Sequence, residues 1–166
     1  MAITRLGGAN AISGSITSSN LPTGSVLQVV RKYTASSAYI STTSTSLTGS
    51  GFSQAITPTV VGSLLVIHFN VSMADANGDN SSMPVQMYYK IGSGSFGAMP
   101  SSGLYHIGYI SHTQNRYAPF SHSSHITTTS TDAYTFEPYF KSNNGNNVRF
   151  AHSSCSIGMT IFEVKQ

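Results

Sequence analysis

Six histidines, one cysteine and five carboxylates are the side chains of this 166-residue chain best suited to chemistry. A zinc site needs several such groups to converge, and His68, His106, His112, His122, His125 and His152 are scattered along the chain. His122 and His125 stand three apart, which places them on opposite faces of an extended segment, with no carboxylate near them in sequence. They read as hydrogen-bonded structural histidines, and no metal is expected. Asp75-Ala76-Asn77-Gly78-Asp79-Asn80 carries oxygen-bearing side chains at alternate positions, as a calcium loop does. Yet Gln86 stands where a closing glutamate would be, and a hairpin turn on Asn77-Gly78 accounts for the same residues.

Hydrolysis needs paired groups with divided roles, and the chain does not supply them. Asp132 and Glu137 lie five apart with nothing beside them to assign one as acid and the other as base. No Gly-x-Ser-x-Gly elbow occurs, and Cys155 has the character of a small packed residue. The chain is expected not to be an enzyme and to carry no cofactor. One stretch suggests recognition instead: residues 112–120 combine His112, Arg116, Tyr117 and Phe120 with amide side chains, a composition suited to a carbohydrate- or protein-binding loop. A packed crossover loop would use the same residues.

The element that must position any site is the stretch 64–73. Alternation along a strand puts Leu65, Ile67, Phe69, Val71 and Met73 on one face, an unbroken apolar set that belongs in a core. The other face carries Leu64, Val66, His68, Asn70 and Ser72, apolar at one end and polar at the other. Further strands are expected over 25–33, 85–91, 104–111, 133–140, 148–151 and 157–164, with short strands and loops in 34–62. A polar loop is expected over 112–121, with extended chain after it, and Asn143-Asn144-Gly145 marks a turn. In the last strand Ile157, Met159 and Ile161 share one face, while Thr160, Phe162 and Val164 share the other.

Residues 1–24 are Gly, Ser, Thr, Ala and Asn with isolated Ile3, Arg5, Leu6, Ile12, Ile16 and Leu21. Such a segment buries too little to fold alone and is ordered only where something ties it down. It is expected to be an extended N-terminal arm lying against an assembly or partner surface, followed by one domain over 25–166.

Charged residues make up only 8% of the chain against about 25% in ordinary soluble proteins, so hydroxyls and amides solvate the surface. A net charge of +3 with no basic run argues against a nucleic-acid partner. A single cysteine allows no disulfide within the chain. Neither a secretory leader nor a membrane-spanning run is evident, so assembly in a host cytoplasm is expected. A surface-like composition without an export signal favours a virus particle.

Short strands, regular turns and the lack of a helical pattern predict an all-β, two-sheet sandwich, read as a jelly roll, with an immunoglobulin-like sandwich or a barrel as alternatives. A sandwich covers only one face of each sheet, so strands apolar on both faces call for a third body. A closed ring of identical chains would bury Leu64, Val66, His68, Thr160 and Phe162 between subunits. Protonation of His68 there would loosen the assembly in acid.

The phrase running from Ile12-Ser13-Gly14-Ser15-Ile16 through Leu21-Pro22-Thr23-Gly24 to Val30 resembles the leader and first strand of tailed-bacteriophage virion proteins. The ending Met159-Thr160-Ile161-Phe162-Glu163-Val164-Lys165-Gln166 resembles their closing strand. The resemblance covers the two edges of the chain. It implies a tumour-necrosis-factor-like jelly roll, commonly trimeric, of the kind found in head decoration or cement proteins, head fibres and tail-fibre tips. The expectation is a homotrimer bound to the phage major capsid protein on the outer surface of the head and stabilising it, gripped through the arm. The alternative is a fibre tip that recognises a host surface glycan through residues 112–120. Neither reading involves nucleic acid or a membrane.

Overall fold

A computed structural model describes residues 21–36, 40–76, 81–110, 116–150 and 155–166. Ile3, Arg5, Leu6, Ile12, Ile16 and His112 therefore lie outside the described residues, as does most of the proposed calcium-like stretch. The strands are β1 (Val26–Ser36), β2 (Ile40–Thr42), β3 (Thr48–Gly49), β4 (Gln54–Ile56), β5 (Leu64–Ala76), β6 (Ser81–Ile91), β7 (Gly97–Ala98), β8 (Tyr105–Ile110), β9 (Arg116–Thr127), β10 (Tyr134–Phe140), β11 (Val148–Phe150) and β12 (Cys155–Val164). No helix occurs among the described residues. The fold is an all-β sandwich of antiparallel sheets, one of them curled into a half-barrel.

Six pairings nest inside one another along the chain. β1 pairs β12, β2 pairs β11, β3 and β4 pair β10, β5 pairs β9, and β6 pairs β8. This is the pattern of one long hairpin, whose tip is the segment between β6 and β8. Three more pairings roll that ribbon onto itself: β12 and β11 share one edge of β5, and β10 joins β6. The first sheet thus contains β1, β12, β5, β11, β2 and β9, and the second β3, β4, β10, β6, β7 and β8.

The core lies between them. β5 contributes Leu65, Ile67, Phe69 and Val71 and β12 contributes Ile157, Met159 and Ile161, all at most 1% exposed. The second sheet answers with Met83, Val85 and Met87 from β6 and Tyr134, Phe136 and Phe140 from β10. Phe150 ties the layers together, its ring 5.7 Å from Phe69 and 4.6 Å from Phe140. Such ring contacts add to the area each aromatic removes from water.

Two sequence expectations need correction. The inward set of β5 does not keep strict alternation, because after a register shift against β9 between Val71 and Ala74 it is Ala74 that is buried; the expected inward placement of Met73 lies outside the described side chains. The polar loop expected up to residue 121 is already β9 from Arg116. A strand of 13 residues, as β5 is, leaves a long row of backbone groups to satisfy, and polar β9 fills that need.

The chain enters β1 through a turn in which Ser25 N donates to Pro22 O at 3.1 Å and Gly24 adopts a φ of 88°. Gly24 N also donates to Lys165 O at 2.8 Å, and Lys165 Nζ donates to Leu21 O, so the entry is fastened to the end of β12.

Candidate functional site

The outward face of the first sheet is assembled by register. Four rows cross β1, β12, β5 and β9: Val26, Val164, Leu64 and Thr127; Val29, Phe162, Val66 and His125; Arg31, Thr160, His68 and Ser123; Tyr33, Gly158, Asn70 and Ser121. Each residue of β5 and β12 in these rows alternates with a buried neighbour, so the face is set by the same period that builds the core.

All five residues expected at a subunit contact fall on this face. Leu64, Val66, Thr160 and Phe162 are half-buried within the single chain, and His68 is exposed. The His68 ring meets Phe162 edge-on at 5.7 Å, and its Nδ1 lies 2.7 Å from Ser123 Oγ. The sequence reading missed the contribution of β1: Val26, Val29 and Tyr33 are each more than half exposed, and the Arg31 guanidinium sits 5.4 Å from the Tyr33 ring centroid. The alternation of Val29, Arg31 and Tyr33 was visible in sequence, but only the pairing with β12 puts these side chains beside Phe162 and Thr160. The face grades from apolar, around Val29, Phe162 and Val66, to polar, where Ser72 Oγ accepts from Ser156 N at 2.7 Å.

The second candidate does not hold together as a loop. Arg116, Tyr117 and Phe120 belong to β9. The Phe120 ring is half-buried and packs against the core, 6.2 Å from Phe69 and stacked at 6.4 Å on His122.

The buried Glu163, Ser102, His122 and Glu137 have structural partners, whereas the buried Ser124 Oγ has no hydrogen-bond partner among the described residues. Glu163 is fully buried, and its carboxylate accepts from Gln28 Nε2 at 2.8 Å, Thr59 N at 2.9 Å, Thr59 Oγ1 at 3.1 Å, Val60 N at 3.2 Å and Ser63 Oγ at 2.8 Å. Burial alone would raise its pKa, but the amide of Thr59 and the donors of Ser63, Gln28 and Val60 outweigh that, and the net shift is downward. His122 lies 3.2 Å from Ser102 Oγ, which in turn accepts from Met87 N at 2.9 Å. A serine beside a histidine is the start of a nucleophilic pair, but these two are only 3% and 6% exposed, so no substrate reaches them. Burial pushes the His122 pKa down. Glu137, also buried, accepts from Gly51 N at 2.7 Å, while Asp132 is exposed. Among the described residues no three His, Cys, Asp or Glu side chains converge to hold a metal ion.

No protein-family model matches the chain, and no curated protein matches it in sequence.

Proposed function

We propose that this chain is a structural protein of a tailed-phage virion, a homotrimeric jelly-roll knob that decorates the outer face of the head and stabilises the shell. The observation that carries the reading is the outward face of the first sheet, where Val26, Val29 and Tyr33 stand more than half exposed beside Phe162, Val66 and Leu64. A contiguous apolar face of this kind marks an association surface, and three copies closing around an axis would each bury it. An obligate interface of that type covers more than about 2,000 Å².

The jelly-roll assignment is supported by the nested pairing. If the short strands are merged into eight, the first sheet runs 1, 8, 3, 6 and the second 2, 7, 4, 5, the order produced by rolling up one long hairpin. The phage assignment rests on the resemblance at the two edges of the chain. Stabilisation would follow from mass action, since a protein that binds the assembled shell and not its parts shifts the equilibrium towards the shell. Residues 1–24 would supply the grip on the major capsid protein.

Antibody labelling of intact particles in the electron microscope tests this. Label over the head is expected; label confined to the tail would refute decoration and favour a receptor-binding tip. Removal of residues 1–20 should abolish capsid binding while leaving trimers intact, and retained binding would refute the role of the arm.

A further inference from the structure

The opposite side of the molecule carries a second feature that the assembly reading does not use. Along β6, Met87 is buried and Tyr89 and Ile91 pack against the core, so Tyr88 and Lys90 project from the outer face of the second sheet. Tyr139 projects there too, between buried Pro138 and Phe140. Tyr88 and Tyr139 stack at 4.0 Å with 15° between their planes. Phe96, from the turn between β6 and β7, extends the row at 5.8 Å from Tyr139, and the Lys90 ammonium lies 5.1 Å from the Phe96 ring centroid. All four side chains are half-buried rather than sealed.

An open cavity of about 320 Å³, lined by Tyr89, Lys90, Ile91, Gly94, Ser95, Gly97 and Ala98, meets this row at Lys90. Its size falls at the lower end of small-molecule sites. Lys90 belongs both to the cavity and to the aromatic row, and it is the one charged side chain among the residues lining the cavity. A Cβ built on Gly97 would meet nothing within 4 Å, so the wall there is open backbone. Burial, the Glu137 carboxylate and Tyr88 together raise the Tyr139 pKa, which keeps its hydroxyl a donor.

We propose that Tyr88, Lys90, Phe96 and Tyr139 form a binding site for an acidic saccharide, one bearing uronic-acid carboxylates. A pyranose ring presents an apolar C–H face that packs on aromatic rings, and hydroxyls at its rim that suit Ser95, tyrosine hydroxyls and glycine amides. The ammonium of Lys90 selects a carboxylate on that ring by charge complementarity. This site lies on the sheet opposite the proposed assembly face, so its failure would leave the trimer untouched and the reverse holds as well.

The chain has nine tyrosines and no tryptophan, and two of the tyrosines belong to this cluster, so tyrosine emission carries a contribution from it and calorimetry supplies the independent readout. Full-length protein is titrated with tetragalacturonate and, in parallel, with neutral maltotetraose, followed by fluorescence and calorimetry. Saturable binding of the acidic sugar is expected, with Phe96→Ala and Lys90→Gln each weakening it about tenfold. Arg149→Gln removes the same charge from the first sheet, between buried Val148 and Phe150, and is expected to bind as the parent does. Absence of saturable binding overturns the proposal, as does equal binding of maltotetraose. An Arg149→Gln loss as large as that of Lys90→Gln would overturn it too, since general attraction to a basic chain would then suffice. Circular dichroism confirms that each variant is folded before its affinity is compared.

Discussion

Glu163→Gln is the substitution that most directly tests how this fold is fastened. Glu163 keeps its charge while fully buried, with the backbone amides of Thr59 and Val60 and the side chains of Gln28, Thr59 and Ser63 in place of a cationic partner. Glutamine preserves the shape but turns one acceptor oxygen into an NH2 that faces donors. A hydrogen bond to a charged group contributes about 1.5–3 kcal/mol, and a stranded buried donor costs a similar amount. Thr59 is exposed at the surface, so its amide can turn to water and the loss falls short of the full sum. The expected cost is about 3 kcal/mol, which for a domain of this size lowers Tm by about 6–12 °C.

The pH dependence supplies the sharper test. Because the folded carboxyl has a lowered pKa, its contribution is complete above the unfolded value of about 4.3 and is lost as pH falls towards the folded one. Urea unfolding of parent and variant at fixed protein concentration should therefore show a gap that is constant from pH 8 to about pH 5 and narrows below it. A gap under about 1 kcal/mol at pH 7, or one that persists unchanged in acid, would refute the reasoning.

Phe69→Ala removes a ring 1% exposed and in contact with Phe52, Phe120 and Phe150, and should cost about 3–5 kcal/mol by chemical denaturation; under about 1 kcal/mol would mean the ring is not held as described. Phe162→Glu places a charge among Val29, Val66 and His68 and should convert the proposed trimer to folded monomers in light scattering; an unchanged mass would remove this face from the proposed assembly. For His122 the folded pKa is lowered by burial, so its contribution is present above about pH 6.5 and declines as pH falls through that value. His122→Asn should flatten the loss of stability between pH 7.5 and 5.5, and an identical pH profile would show that another group titrates there.

Much of the fold was legible because burial leaves a local trace. Leu65, Ile67, Phe69 and Val71 alternate with Leu64, Val66, His68 and Asn70, and the structure places the first set in the core and the second outside. The same holds for Ile157, Met159 and Ile161 against Thr160 and Phe162. Residues 122–127 of β9 were expected to be extended, but residues 116–121 read as loop because Pro119 and its polar neighbours interrupt the strand pattern. The place of β9 comes from pairing with β5 along almost the whole length of both strands. The shift between Val71 and Ala74 was equally invisible, since a bulge depends on how two strands meet and not on either alone.

The sequence by itself determined an all-β chain, the position of most strands, and which side of the long ones faces inward, because a two-residue period is a local property. Only the tertiary structure decided which strands are neighbours, and so which side chains share a surface. Glu163 and the Thr59 amide are 104 positions apart, Val29 meets Phe162, and Tyr139 meets Phe96, with no local signal of any of these encounters. Apolar burial is non-directional: it dictates that a side chain leave water without naming its partner. Backbone pairing and register supply the partner, and they are set by the whole rolled ribbon at once.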